Sequence, residues 1–328
     1  MFARPTGCFW PVFSFFRSTF RRINMQTSRR DMLRTTALLG GAALMGTTST
    51  TFAAEAAETV EAGPDASCCP NTIYSNLLGW TIGPQIYSFN RFTFEQGVKN
   101  CQKTGARNFE VFIGQRLTDK GDVKVGPDMA NDDKKLMRTI MVDHGQVPHA
   151  VGVTGTDRKM FDFAAEMGIP LINSEPGFDR LGDVNKLAEE YKINVGLHNH
   201  PKPSIYWDFN IVLEHLKDCG SRVGACVDTG HWIRSGINPL EAVKALKGKI
   251  SSFHIKDLHK HPGEGEGPHD VPLGQGVVGV ADILKELAAQ RFRGPFSIEY
   301  EYNWDANTPD VAACVKFFNE TAKAIVLG

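Results

Sequence analysis

The sequence predicts a (β/α)8 barrel. Three observations carry that expectation. From Trp80 onward, eight apolar, strand-like runs alternate with eight amphipathic segments. Acids and histidines gather at the carboxyl ends of the later runs, the end at which such barrels bind ligands. Roughly 270 residues remain beyond an N-terminal targeting region, close to the length typical of this fold.

The clearest run is V-G-A-C-V-D-T-G-H-W, Val223–Trp232. Small and apolar residues lead without a polar face into Asp228, a turn at Thr229-Gly230 and His231, as in a strand buried on both sides. The other runs, in order, are Thr81–Phe89, Ala106–Ile113, Gln146–Val153, Ile169–Ser174, Ile193–His198, Ile250–Ile255 and Phe296–Tyr300. Helical periodicity is expected over Phe94–Thr104, Asp132–His144, Asp157–Met167, Val184–Tyr191, Phe209–Cys219, Pro239–Leu246, Val280–Gln290 and Asp310–Ile325. Gly105, Gly145, Gly168, Gly220 and Gly294 follow helices and read as left-handed terminators. An open doubly wound sheet is the competing fold. It usually carries a glycine-rich first turn, whereas the first strand here ends in Tyr87-Ser88-Phe89-Asn90. The long segment His259–Gly279, rich in Gly, His and Pro, reads as a lid or binding loop.

The chain has 328 residues, is 42% hydrophobic and carries a net charge of −1. That balance argues against a nucleic-acid partner, which demands a basic face. Residues 1–57 are expected to be a twin-arginine-type signal region: Arg29-Arg30 precede a weakly apolar run, Thr35–Met45, and small residues to Ala57. Residues 1–24 lie upstream of that signal, and Met25 is an alternative start. The apolar run is too short to span a bilayer, so the expected product is periplasmic or secreted, with no membrane contact after cleavage. Residues 58–79 read as a linker and 80–328 as the barrel. Cys101, Cys219, Cys226 and Cys314 read as free thiols, and vicinal Cys68-Cys69 lack zinc-site spacing.

Reading off the strand ends places Glu175 after the fourth strand, and His198 and His200 after the fifth. Asp228 and His231 end the sixth, His254, Lys256 and Asp257 the seventh, and Glu299 and Glu301 the eighth. Taken singly, each is more often structural than a ligand; together they converge on one bowl. So many carboxylates and imidazoles would strand buried charge unless a cation sat among them. One divalent metal ion is expected, Mn²⁺ favoured, with Mg²⁺, Co²⁺ or Zn²⁺ as alternatives. Trp207, Trp232 and Trp304 follow strand ends and could stack on a sugar face or pack in the core.

V-D-T-G-H at Val227–His231, F-H-I-K-D at Phe253–Asp257, P-L-G-Q-G at Pro272–Gly276 and G-P-F-S-I-E at Gly294–Glu299 resemble the sugar isomerase/epimerase superfamily of xylose isomerase-like barrels. That superfamily includes ketose 3-epimerases, hydroxypyruvate isomerases and inosose dehydratases. The resemblance implies that Asp228, His254 and Glu299 bind one divalent metal and that His231 contacts substrate. Lys256 and Trp232, by their placement at strand ends, are further substrate-binding candidates. At the fifth strand the chain departs from the epimerases: V-G-L-H-N-H puts His198 where they carry a glutamate. This form resembles the inosose dehydratase-like and 3-keto-glycoside-cleaving branches. It implies Glu175 as fourth ligand and makes His198 or His200 the expected proton-transferring base, with Glu299 or Glu175 next in line; the rival is that one histidine is a metal ligand and the other a core residue.

The expected function is therefore a metal-dependent carbohydrate isomerase or epimerase. It would abstract a proton next to a carbonyl through an enediolate. The alternative is a lyase or dehydratase on keto-sugars, keto-glycosides or inososes. A secreted sugar-binding barrel is the non-enzymatic rival, and an endonuclease-like branch of the barrel would need a basic groove. The expected partner is a small carbohydrate, with a homo-oligomer left open.

Overall fold

The computed structural model describes residues 72–263 and 265–328. The expected signal region, most of the expected linker and Cys68-Cys69 lie outside the described residues. Within the stretch read as linker, α1 (Ile73–Leu77) forms a short helix. Its backbone is tied to the far end of the chain, because Tyr74 N and Ser75 N donate to Asn319 Oδ1 at 3.0 and 3.3 Å.

The first half of the barrel comprises β1 (Trp80–Pro84), α2 (Phe94–Lys103), β2 (Asn108–Val111), α3 (Asn131–Asp143), β3 (Val147–Val151), α4 (Arg158–Met167), β4 (Leu171–Ser174) and α5 (Leu181–Tyr191). Then come β5 (Asn194–His198), α6 (Phe209–His215), β6 (Val223–Asp228), α7 (Thr229–Arg234), α8 (Pro239–Ala245) and β7 (Ile250–Ile255). A two-stranded ribbon of β8 (Asp257–Leu258) and β9 (Asp270–Val271) precedes α9 (Val280–Ala289), β10 (Gly294–Ile298) and α10 (Thr308–Leu327). The eight staves run β1-β10-β7-β6-β5-β4-β3-β2, parallel throughout. A bridge between Gln85 and Glu110 joins the two ends of that order. The expected barrel is the observed fold. Among the described residues no helix is long and apolar enough to cross a membrane.

The first expected strand is the one most shortened. The pattern Thr81–Phe89 stays apolar throughout, but only Trp80–Pro84 pairs; Ile86–Phe89 form a 3₁₀ turn. Periodicity alone does not separate these two buried conformations. Gly168 is the left-handed terminator expected, with φ +70°. Gly220 and Gly294 are not: before β10 the positive φ falls on Arg291 instead.

Capping sets the frame. Asp157 accepts from Met160 N at 3.0 Å to open α4, and Thr93 with Gln96 forms a capping box on α2. Trp80, Phe296 and Phe318 meet edge to face and seal β1 and β10 against α10. Each such ring contributes about 1.5–3 kcal/mol by leaving water. Register brings the polar strand ends level, since Asp228 stands opposite His254 and His254 opposite Ser297.

Candidate functional site

Inside the barrel mouth the strands deliver two groups of ligand-type side chains. In the first, His198, Asp228, His254 and Glu299 each offer an atom within 4.8 Å of the others, and all four are buried. In the second, Glu175, His198 and His200 meet the same limit with Glu175 and His200 partly exposed. His198 belongs to both. Of the ligands inferred from resemblance, Asp228, His254 and Glu299 thus lie together, while Glu175 lies in the outer group and His198 stands beside the three.

Local chemistry holds each position. Asp228 ends β6 and caps α7, its Oδ1 accepting from His231 N at 2.7 Å. Asn199 clips that strand end, accepting from Asp228 N at 2.8 Å and donating to Asp228 O at 3.0 Å. His254 has Glu299 Oε2 3.1 Å from Nδ1 and both Glu110 oxygens 3.0 Å from Nε2. The Lys256 ammonium, fully buried, lies 2.9 Å from Glu299, 2.8 Å from Glu301 and 3.3 Å from Asp228. In the outer group, Glu175 Oε1 accepts from His200 N at 2.8 Å and lies 2.7 Å from His200 Nδ1. Ser204 Oγ donates to Glu175 Oε2 at 3.2 Å.

Burial would raise the Asp228 carboxyl, but the charges of His231 and Lys256 outweigh it and hold the group well below the usual range. Glu299 behaves likewise under Lys256 and His254. Burial would lower Lys256; Asp228, Glu299 and Glu301 instead push it well above an ordinary lysine. Burial drives His231 well below the ordinary histidine range, against Asp228. Glu175 is held far down because hydrogen bonds to His198 and His200 outweigh its burial. His200 is raised, chiefly by that hydrogen bond to Glu175.

Two atoms of the inner group stand apart. His198 Nε2 and Asp228 Oδ2 are buried and accept or donate no hydrogen bond among the described residues, although they lie 3.7 Å apart. Lys256 donates to Glu301, and its ammonium lies 3.3 Å from Asp228 Oδ2 as a charge partner. Buried polar atoms are mostly hydrogen-bonded, and these two, unlike the other unpaired buried atoms, lie within a group of ligand-type side chains. Two imidazole nitrogens and two carboxylates suit a divalent cation of the Mn²⁺–Zn²⁺ series.

Several expectations change on this geometry. Trp232 is 1% exposed and packs against Phe209, so it is a core residue, because α7 turns its ring inward. Asp257 is a structural hub: it accepts from the backbone of Leu258, Gly274, Gly276 and Val278 and pins the long loop. Glu301 joins Lys256 to Arg234, which also pairs with Asp270 at 2.9 Å. Burial pushes the Asp270 carboxyl up to about 6. Trp207 carries the Lys202 ammonium 3.7 Å above its ring, and Trp304 meets Tyr87 edge-on. Two residues went unnoticed in the sequence. Burial, with the charges of Glu301 and Glu299, raises the pKa of the Tyr87 hydroxyl. Glu110, fully buried, sits behind His254. An acid inside the apolar run N-F-E-V was the available signal.

The model of the xylose isomerase-like TIM barrel family matches residues 98–320. The chain belongs to that family. An inosose dehydratase of Bacillus cereus is 30% identical over 159 residues, 41% of this chain and 52% of the relative. The chain thus spans about half the length of the curated relatives it matches. Among solved structures, an uncharacterised protein of Parabacteroides distasonis is 28% identical with a TM-score of 0.60, covering 74% of this chain and 99% of that one. A xylose isomerase-like barrel of Mycobacterium smegmatis in complex with magnesium has the same fold, at 14% identity and a TM-score of 0.59, over 71% of this chain and 89% of that one.

Proposed function

We propose that this chain is a divalent-metal-dependent carbohydrate isomerase or epimerase that removes a proton next to a carbonyl. The observation that carries the reading is the pair of orphaned ligand atoms, His198 Nε2 and Asp228 Oδ2, grouped with His254 and Glu299. Those four residues would hold the ion. When bound, the ion supplies Lewis acidity that makes the hydrogen next to a chelated carbonyl acidic.

The chain's own groups do the rest. His200 is 45% exposed at its side chain and backed by Glu175 through Nδ1, so Nε2 is the nitrogen available to a substrate. It takes the substrate proton as general base, and Glu175 orients the ring and stabilises the imidazolium that results. Between the two histidines offered by the sequence, exposure favours His200; His198 is 1% exposed and flanked by ligand-type groups. His231, whose ring lies 5.1 Å from that of His200, would hydrogen-bond a substrate oxygen, with the buried Lys256 ammonium beside it supplying positive charge. Return of the proton elsewhere gives isomerisation or epimerisation.

A second reading is elimination. The inosose dehydratase relatives favour it, as does a site in which one exposed histidine can take a proton and hand it to a departing hydroxyl. The experiment is incubation in D₂O with Mn²⁺ and a panel of ketoses, keto-glycosides and inososes, followed by NMR. Deuterium in an isomerised product supports the first reading and an unsaturated product the second. No exchange with any substrate, in protein shown to hold metal, rejects both.

We also propose that Arg29-Arg30 direct export by the twin-arginine route, as the basic, weakly apolar N-terminal sequence suggests. Replacing both with Lys should leave the precursor uncleaved in the cytoplasm; unchanged export rejects the idea.

A further inference from the structure

We infer that Glu110 is a positioning residue which fixes the proton of His254 on Nε2 and so leaves Nδ1 as the nitrogen that can bind a cation. The inference rests on the proposed ligand role of His254. It follows from counting protons in a buried network that the strand-end residues do not include.

Glu110 projects from β2 into the barrel, is fully buried, and has both carboxylate oxygens 3.0 Å from His254 Nε2. Its other neighbours are all arranged as donors. Asn173 Nδ2 donates to Oε1 at 3.0 Å, and Ser297 Oγ donates to Oε2. Each of these is itself oriented from behind. Ser252 Oγ donates to Asn173 Oδ1 at 2.7 Å, which turns the amide nitrogen toward Glu110. His149 Nε2 lies 2.8 Å from Ser297 Oγ, and His149 Nδ1 is a buried atom without a partner. That pattern places the His149 proton on Nε2, so Ser297 accepts from His149 and spends its own hydrogen on Glu110. Asn173 Nδ2 is also 3.4 Å from His254 Nε2, because both converge as donors on the same carboxylate oxygen.

With every other contact donating, Glu110 is an acceptor, and the nitrogen facing it must carry hydrogen. His254 Nδ1, on the opposite edge of the ring, faces Glu299 Oε2 at 3.1 Å within the four grouped ligand-type residues, so a cation held there would meet Nδ1 in place of a proton. Space for this arrangement is reserved by small residues. A Cβ at Gly152 would come within 2.7 Å of Glu110 Oε1, and one at Gly196 would strike Asn173 Oδ1. Barrel interiors are ordinarily filled by branched apolar side chains, and a buried charge gives little or no net stability over an apolar layer. Five strands nonetheless contribute polar groups here, which accords with a role in orienting the ligand histidine.

The test compares the parent with Glu110→Gln. Mn²⁺ affinity is measured by calorimetry on the full chain, and ¹⁵N-histidine NMR is recorded after loading with Zn²⁺. The carboxamide can turn its NH₂ toward Nε2 and favour the other tautomer. Mn²⁺ affinity should therefore fall roughly 10–100-fold with the folded circular dichroism spectrum retained. In the Zn²⁺-loaded parent, His254 should carry a slowly exchanging proton on Nε2 and bind through Nδ1. That second measurement needs no variant, so it decides the matter even if Glu110→Gln fails to fold. Parent protein that binds Mn²⁺, with a Glu110→Gln variant of equal affinity, overturns the role of Glu110 alone. So does ligation through Nε2. A parent that takes up no divalent metal overturns the ligand reading of His254 and this inference with it.

Discussion

Two sets of side chains meet at His198 and differ in almost everything else. The inner set, with Asp228, His254 and Glu299, is wholly buried, rests on strand ends and is cross-braced by Asn199, Glu110 and Lys256. The outer set, Glu175 and His200, is partly exposed and stands on the loops after β4 and β5. Burial makes charge costly, and the inner carboxylates are met by the buried Lys256 ammonium; being shut from water, the inner set suits the proposed cation role better than proton exchange. Exposure gives His200 the access that a general base needs. Glu175, committed to His200 and Ser204, sets its orientation and charge. On the proposed reading, one bowl would separate cation binding from proton transfer by depth.

The largest effect should come from the inner set. Asp228→Asn and Glu299→Gln should each abolish uptake of a full metal equivalent and reduce turnover by about three orders of magnitude or more. Elemental analysis after metal loading checks this, and full retention of metal in both variants would break the contrast. Next, His200→Gln should keep its metal and lose about two orders of magnitude in turnover and solvent exchange. Loss of metal in that variant would merge the two sets into one.

Glu175→Gln sharpens the outer set through pH. Because Glu175 raises His200 above an ordinary histidine, the free base forms only at higher pH. Removing the carboxylate lowers that pKa, so the acid limb of the rate profile should move to lower pH, with turnover reduced about tenfold. An unmoved limb would show that His200 is not the group being titrated. The smallest effect belongs outside the bowl. Asp157→Ala removes the α4 cap and should cost about 1 kcal/mol in denaturant unfolding, with metal content and pH profile unchanged.

Much of this was legible in the chain. The alternation of apolar runs and amphipathic segments is written in local spacing, and it specified the barrel and its eight long helical segments; the short helices α1, read as linker, and α7, read as a turn, were not marked. Turn chemistry after each run marked Asp228, His231, His254 and Glu299, because residues ending parallel strands share one mouth whatever their sequence separation. Glu110 escaped because the expected strand ran on to Ile113, which put it mid-strand, whereas β2 ends at Val111; only barrel closure between β1 and β2 then brings it to His254. Trp232 was ambiguous for the opposite reason: an aromatic after a strand end can face either the bowl or the core, and the angle of α7 decides.

What the sequence determined by itself was which residues line the mouth, since strand period and strand termini are local properties of the chain. Which of them share a cation, which stand exposed and which hold others in place were decided by tertiary structure. Those distinctions depend on distances of a few ångströms and on water exclusion. Both arise only once eight separate strands have closed around the same axis.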